Sequence, residues 1–126
     1  MQYIQDSLEK LNKLANNQLR DYFLGNRKQF DLPLAPKGTD FQKLVWNEVA
    51  KIPYGETATY SDIAQRIHKP KAVRAVASAI SRNPLHIFIP CHRVVAKNGI
   101  GGYAAGIEIK KFLLNLEKYN SIEQTK

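Results

Sequence analysis

The chain has 126 residues, 44% hydrophobic and 24% charged, a length and balance suited to one domain whose core needs no disulfide or metal staple. No apolar run approaches the roughly 20 residues that span a bilayer, and MQYIQDSLEK lacks the basic-then-apolar pattern of a secretory signal, so a cytoplasmic protein (nuclear in a eukaryote) is expected. Lys and Arg number 19 against 11 Asp and Glu, a net +8, and from Ser61 to Lys97 seven basic residues stand against one acid, which points to a polyanionic partner, nucleic acid first.

From Ile4 to about Leu24, apolar residues at helical spacing (Ile4, Leu8, Leu11, Ala15, then Leu19, Tyr22, Phe23) predict one or two amphipathic helices, with a break at Asn16-Asn17 and a stop at Gly25. FDLPLAPKG, Phe30 to Gly38, reads as an extended linker. A helix is predicted from Thr39, where Thr39 and Gln42 suit a capping box, with Phe41, Leu44, Val45 and Val49 on one face. It stops before the turn IPYG. Thr59 and Asp62 offer a second box ahead of a short helix with Ile63, Ala64 and Ile67. Pro70 then breaks the chain, because proline disfavours helix in the residue before it.

Val73, Val76, Ala77 and Ile80 form the next helical stripe, ending near Asn83-Pro84. Two short helices around the three-residue turn His68-Lys69-Pro70, the second one basic, read as helix-turn-helix. The second helix carries Lys71 and Arg74 beside the small residues Ala72, Ala75, Ser78 and Ala79 on its outer face. Long polar side chains are the usual readers of a major groove; small ones instead permit close backbone approach. Ile87-Phe88-Ile89 is expected to be a buried strand leading into Pro90-Cys91-His92-Arg93, and Val94-Val95 a second short strand. Four glycines surround Tyr103 between Lys97 and Gly106. Ile109, Phe112, Leu113 and Leu116 predict a last amphipathic helix, and the tail after Tyr119 is expected to fray.

Cys91 is the only cysteine, so neither an intramolecular disulfide nor a cysteine-cluster zinc site can form, and His68, His86 and His92 lack metal-binding spacing; no metal and no cofactor are expected. A free thiol is only about 3% thiolate at pH 7. A nucleophilic cysteine therefore needs a proton acceptor. His92 is adjacent, but neighbours on a strand point to opposite faces, so a bridging water is the expected link. A carboxylate would then orient the imidazole, and spacing leaves Glu108, Glu117 and Glu123 open.

The segments GTDFQKLVW, IPYGETATYSDIA, AVRAVASAISRNP, IPCHRVV and KKFLLNLE together make the chain, from about Asp31 to Glu117, closely similar to the C-terminal domain of the O6-alkylguanine–DNA alkyltransferases. The resemblance implies a mainly α, winged helix-turn-helix-like DNA-binding domain in which a short β element carries the reactive Cys, preceded by an N-terminal helix and extended linker. Residues 1–37 would be a remnant of the family's larger N-terminal domain, 38–119 the active-site domain and 120–126 a frayed tail. Cys91 would accept the alkyl group from O6 of guanine in double-stranded DNA, with O4-alkylthymine a further candidate lesion. His92 would deprotonate it through water, backed by Glu117; Asn83 would brace the turn before the cysteine, and Tyr60 would donate to the leaving guanine. Arg74 would enter the base stack from a helix in the minor groove, with Ala72, Ala75, Ser78, Ala79, Lys71 and Arg82 against DNA. Val94, Tyr103, Ala104 and Ala105 would border the base pocket. With no second cysteine to take the group onward, one turnover by a monomer is expected. Two other readings belong beside it: a non-catalytic binder of alkylated bases, whose known examples resemble the family but lack the acceptor cysteine, and a helix-turn-helix regulator with a sensing cysteine.

Overall fold

A computed structural model describes residues 2–124. The chain divides into two compact units at the Leu34–Ala35 junction, inside the proline segment.

The first unit is one continuous helix, α1 (Gln2–Phe23), and the chain that follows it. The break expected at Asn16-Asn17 does not occur. Asparagine costs a helix only a few tenths of a kcal/mol, and the very next side chain, Gln18, is held in place. Its amide donates to the Asp31 carbonyl at 3.1 Å and accepts from the Asp31 N–H at 2.9 Å. Tyr22 is buried, with Phe23 and Phe30 against its ring at 5.4 and 5.6 Å. Gly25 stops the helix as its sequence position predicts. At φ 81° it lets the Asn26 N–H reach the Asp21 carbonyl and its own N–H reach that of Tyr22, the two bonds of a Schellman cap.

The second unit holds α2 (Asp40–Val49), β1 (Ala58–Thr59), α3 (Tyr60–Arg66), α4 (Val73–Ser81), a 3-10 turn (Cys91–Arg93), β2 (Val94–Val95) and α5 (Ile107–Gln124). Both capping boxes form: Thr39 with Gln42 starts α2, and Thr59 with Asp62 starts α3. Val45, Trp46 and Val49 face the core from α2, whereas Leu44, placed with them by spacing, is 42% exposed. The Trp46 indole N–H donates to the Ala79 carbonyl at 2.8 Å, fixing α2 to α4.

The connection between α3 and α4 is longer than the three residues expected, running from Ile67 to Ala72. Its first bend is another Schellman cap, with His68 at φ 61° where glycine is usual and Lys69 N–H on the Ala64 carbonyl. β1 and β2 pair in parallel, Ala58 with Val94 and Thr59 with Val95. This short pairing sets the start of α3 beside the cysteine turn.

Four further expectations are corrected by the structure. Ile87-Phe88-Ile89 is a turn rather than a strand, with Ile87 at φ 76° and Ile89 N–H returning to the Leu85 carbonyl. Cys91 accordingly lies in the 3-10 turn immediately before β2, not in a β element. Pro90, at φ −79° and ψ 61° with Cys91 N–H on the Ile89 carbonyl at 2.7 Å, closes an inverse γ-turn that ends any extended run. The inward face of α5 is also rotated from the apolar one: Lys110, Leu113 and Glu117 are buried, while Ile109 and Phe112 are 47% and 58% exposed. Past Tyr119, α5 continues to Gln124, with Asn120 donating to the Tyr54 hydroxyl at 3.2 Å; residues 125–126 lie outside the described residues. None of the described helices is long and apolar enough to cross a membrane.

Candidate active site

Cys91 is 2% exposed and borders a cavity of about 490 Å³. The walls come from Tyr60 at the start of α3, Ala77, Ile80 and Ser81 on α4, His86, and the loop residues Gly102, Tyr103 and Ala104. Of the pocket residues expected, Tyr103 and Ala104 are on this wall. Ala105 is exposed and off it, and Val94 is buried in β2 with its carbonyl accepting from Lys110 Nζ at 2.5 Å.

Asn83, also buried, organises the segment before the cysteine. Its Nδ2 donates to the Ile89 carbonyl at 3.0 Å and to Cys91 Sγ at 3.1 Å, and its Oδ1 accepts from Leu85 N–H at 2.9 Å. One side chain thus ties both ends of residues 85–91. Burial pushes the Cys91 thiol up to about 12, against the lowering influence of Asn83 and Lys110. The resting sulfur is therefore a thiol, and a proton acceptor is required before it can attack.

His92, next in the chain, is the candidate acceptor named from the sequence. Its Nε2 lies 2.6 Å from Glu117 Oε2, with both side chains essentially inaccessible to solvent. Burial, joined by the charges of Arg93 and Lys110, lowers the imidazole pKa below its ordinary 6.5 although Glu117 pulls it up. Burial would raise the Glu117 carboxyl, but hydrogen bonds and charge from His92 and Arg93 outweigh it and hold it at about 2. An ionised carboxylate on Nε2 demands a proton there, so the neutral ring has its lone pair on Nδ1. Nδ1 is thus a buried acceptor with no partner among the described residues.

Glu117 itself is anchored by more than the histidine. Arg93 donates to it from Nε at 2.8 Å and Nη2 at 3.0 Å, and spends Nη1 on the Ile52 carbonyl at 2.8 Å. Gly55 N–H adds a bond at 3.2 Å. Of the three glutamates left open by spacing, the structure brings Glu117 to His92, and Glu108 is 90% exposed.

Two residues of this centre were not singled out by sequence reasoning. Arg93 read only as positive charge; it is buried and paired. Lys110 entered only as a letter of the KKFLLNLE segment; it is wholly buried, with Nζ on the carbonyls of Val94 and Gly102, the latter at 3.0 Å, and burial lowers it to about 8. The available signal was the conflict along α5, where lysine and glutamate occupy one stripe with Leu113.

Tyr60 Oη lies 3.5 Å from the Gly102 carbonyl on the cavity wall. Gly101 makes that approach feasible: a Cβ there would come within 2.8 Å of the Tyr60 hydroxyl, and its φ of 76° disfavours any side chain. On the other side of α4, Arg74, Ala75 and Ser78 are exposed, as are Lys71 and Arg82 at its flanks, and Ala72 is half-buried at its N-cap. Ala79 does not belong with them. It is 3% exposed and part of the core, since it falls beside Val76 and Ile80 on the helix.

A profile of the family described as "6-O-methylguanine DNA methyltransferase, DNA binding domain" matches residues 40–119. The methylated-DNA--protein-cysteine methyltransferase of Methanosarcina acetivorans is 56% identical over 110 residues, covering 86% of this chain and 70% of that one. The constitutive enzyme of that name from Bacillus subtilis is 54% identical over 112 residues, 87% of this chain and 68% of that one. Among solved structures, Mycobacterium tuberculosis OGT in complex with DNA superposes with a TM-score of 0.84 at 47% identity, over 86% of this chain and 68% of that chain. S. pombe Atl1 in complex with damaged DNA containing O6-carboxymethylguanine gives 0.57 at 30% identity, over 65% and 79%. The cysteine, its cavity and these similarities agree, and the chain belongs to the 6-O-methylguanine DNA methyltransferase family.

Proposed function

We propose that this protein repairs O6-alkylguanine in double-stranded DNA by moving the alkyl group irreversibly onto Cys91, as a methylated-DNA–protein-cysteine methyltransferase that acts once. The observation that carries this reading is the buried Cys91 thiol on the cavity wall, hydrogen-bonded to Asn83 and followed by a neutral His92 whose Nδ1 is a free acceptor.

In the proposed reaction α4 enters the minor groove, its small exposed residues Ala75 and Ser78 letting the backbone approach closely. Arg74, in the first turn, takes the place of the extruded nucleotide, and the base swings into the cavity behind the helix. The Cys91 proton passes through a water to His92 Nδ1, and Glu117 stabilises the imidazolium that results. The thiolate attacks the alkyl carbon. An S–C bond forms as the C–O6 bond breaks, its electron pair leaving on the guanine, which Tyr60 protonates or hydrogen-bonds through its hydroxyl. The product thioether is stable, and Cys91 is the only cysteine, so the protein is consumed. We place the protein with the genome, in the cytoplasm or a eukaryotic nucleus.

The alternative of a non-catalytic lesion binder is not favoured: the acceptor cysteine is present beside a His92–Glu117 pair, and the superposition on Atl1 is poorer than that on the methyltransferase. Intact-protein mass spectrometry after mixing with excess duplex containing one O6-methylguanine tests the proposal. A gain of about 14 Da on Cys91, stopping at one equivalent, is expected for S-methylation. Unchanged mass in folded protein that still binds the duplex refutes it.

A further inference from the structure

The turn from Ile52 to Gly55 reaches both members of the buried Arg93–Glu117 pair. The Ile52 carbonyl accepts from Arg93 Nη1 at 2.8 Å, and Gly55 N–H donates to Glu117 Oε1 at 3.2 Å. Between these two holds the guanidinium lies over the Tyr54 ring, with Arg93 Cζ 5.5 Å from the ring centroid, inside the roughly 6 Å reach of a cation–π contact. The Tyr54 hydroxyl accepts from Asn120 Nδ2 at 3.2 Å, which ties the ring to α5 just past Glu117.

These holds bear on the basicity of His92. The charged groups that face the imidazole are Glu117 and Lys110 from α5 and Arg93 from its own turn. Burial disfavours the protonated ring most, Arg93 and Lys110 add to that, and Glu117 opposes them. Arg93 acts strongly because it is buried and forked, with Nε and Nη2 on the two carboxylate oxygens. A guanidinium able to swing into water would leave the Glu117 charge to His92, and the imidazole would keep its proton to higher pH. Tyr54 covers the flat face of the fork, the side that in-plane hydrogen bonds leave open. Burial, with Glu117 adding to it, holds the Tyr54 hydroxyl above its ordinary 10 despite Asn120 and Arg93. The tyrosine itself therefore stays uncharged where His92 titrates.

We propose that Tyr54 is a positioning residue for the transfer: by holding Arg93 on Glu117 it keeps His92 unprotonated, and so able to take the thiol's proton, in mildly acidic as well as neutral solution. This rests on His92 serving as the base of the proposed reaction. The face of the ring carries the effect, and the bond from Asn120 to its hydroxyl only seats it.

Two titrations test this. Proton NMR of the three histidines reads His92 directly, with His68→Gln and His86→Gln assigning its signal by elimination. The pH profile of single-turnover transfer from duplex O6-methylguanine reads the same group at work. Tyr54→Leu and Tyr54→Met both remove the ring while keeping apolar bulk. Each should raise the His92 midpoint and the acid limb of transfer together, by about one pH unit. Tyr54→Phe keeps the ring and should match the wild type. A merely structural role would lower the melting temperature and the rate without moving either midpoint. Unmoved midpoints in the folded Leu and Met variants, or an equal shift in Tyr54→Phe, overturn the inference. Absence of methyl transfer by the wild-type protein at every pH instead overturns the proposed function, and the NMR midpoint then still decides whether Tyr54 holds His92 unprotonated.

Discussion

At the scale of single residues, the site depends on a carboxylate that does two jobs. Glu117 fixes the tautomer of His92 and neutralises the buried Arg93. Glu117→Gln keeps the shape but leaves the guanidinium without a counter-charge. Removing one partner of a buried ion pair costs about 3–5 kcal/mol, and losing an effective general base costs about 100-fold or more in rate. Urea unfolding and single-turnover transfer on the folded variant separate these effects, and transfer at wild-type speed would exclude Glu117 from the relay. The pH profile follows from the same groups. His92 must be neutral to accept a proton, and its pKa lies below 6.5. Transfer should therefore persist as pH falls past 6.5 and fail only lower. Stability has the same sign: the unfolded chain binds a proton at His92 near 6.5 and at Glu117 near 4.5, where the folded protein resists both. The melting temperature should fall as pH drops from 6.5 towards 2, and a flat profile would contradict the buried cluster.

At the scale of elements, local rules and tertiary demands divide the molecule. The caps at Thr39, Thr59 and Gly25 were legible because they are made by residues within a few positions of one another. The Ile87 turn was not, because an apolar triplet reads as strand and nothing local announces that Asn83 will clamp both its ends. Nor was the face of α5, where periodicity chose Ile109 and Phe112 while the buried bonds of Lys110 and Glu117 chose the other stripe. At the site, Cys91 with His92 was visible from residue chemistry and Glu117 only through family resemblance, since the pair is 25 residues apart. The exposed side of α4 permits a test that sets charge against shape. Ala75→Arg adds a cation, so electrostatics alone predicts tighter binding to duplex. If the helix must lie deep in a minor groove, the added bulk should instead weaken it about tenfold, equivalent to 1.4 kcal/mol. Fluorescence anisotropy with an undamaged duplex gives the sign. In the loop, Gly101→Ala should displace Tyr60 through the 2.8 Å contact and the φ of 76°, slowing transfer while leaving duplex affinity unchanged. Equal loss of both would show that Gly101 matters only for folding.

At the scale of the whole molecule, charge is the property that reaches the duplex first. The basic segment from Ser61 to Lys97 loses Arg93 to the interior, which leaves Arg66, Lys69, Lys71, Arg74, Arg82 and Lys97 exposed. Each phosphate neutralised releases counterions and contributes about −0.9 to the slope of log K against log salt, so six exposed cations set a ceiling of about −5. Transfer from the free base O6-methylguanine involves no phosphate, and its rate should be nearly independent of salt. Within this frame two neighbours on α4 separate by role. Lys71, if it rests on a phosphate, should reduce the slope by about one when changed to Ala, with modest effect on transfer at saturating DNA. Arg74, if it fills the gap left by the extruded base, should leave the slope almost unaltered when changed to Ala, yet slow transfer from duplex far more than from the free base. The reverse pattern, slope lost at Arg74 and rate lost at Lys71, would exchange the two assignments, and equal loss of free-base reactivity in Arg74→Ala would remove that residue from base extrusion altogether.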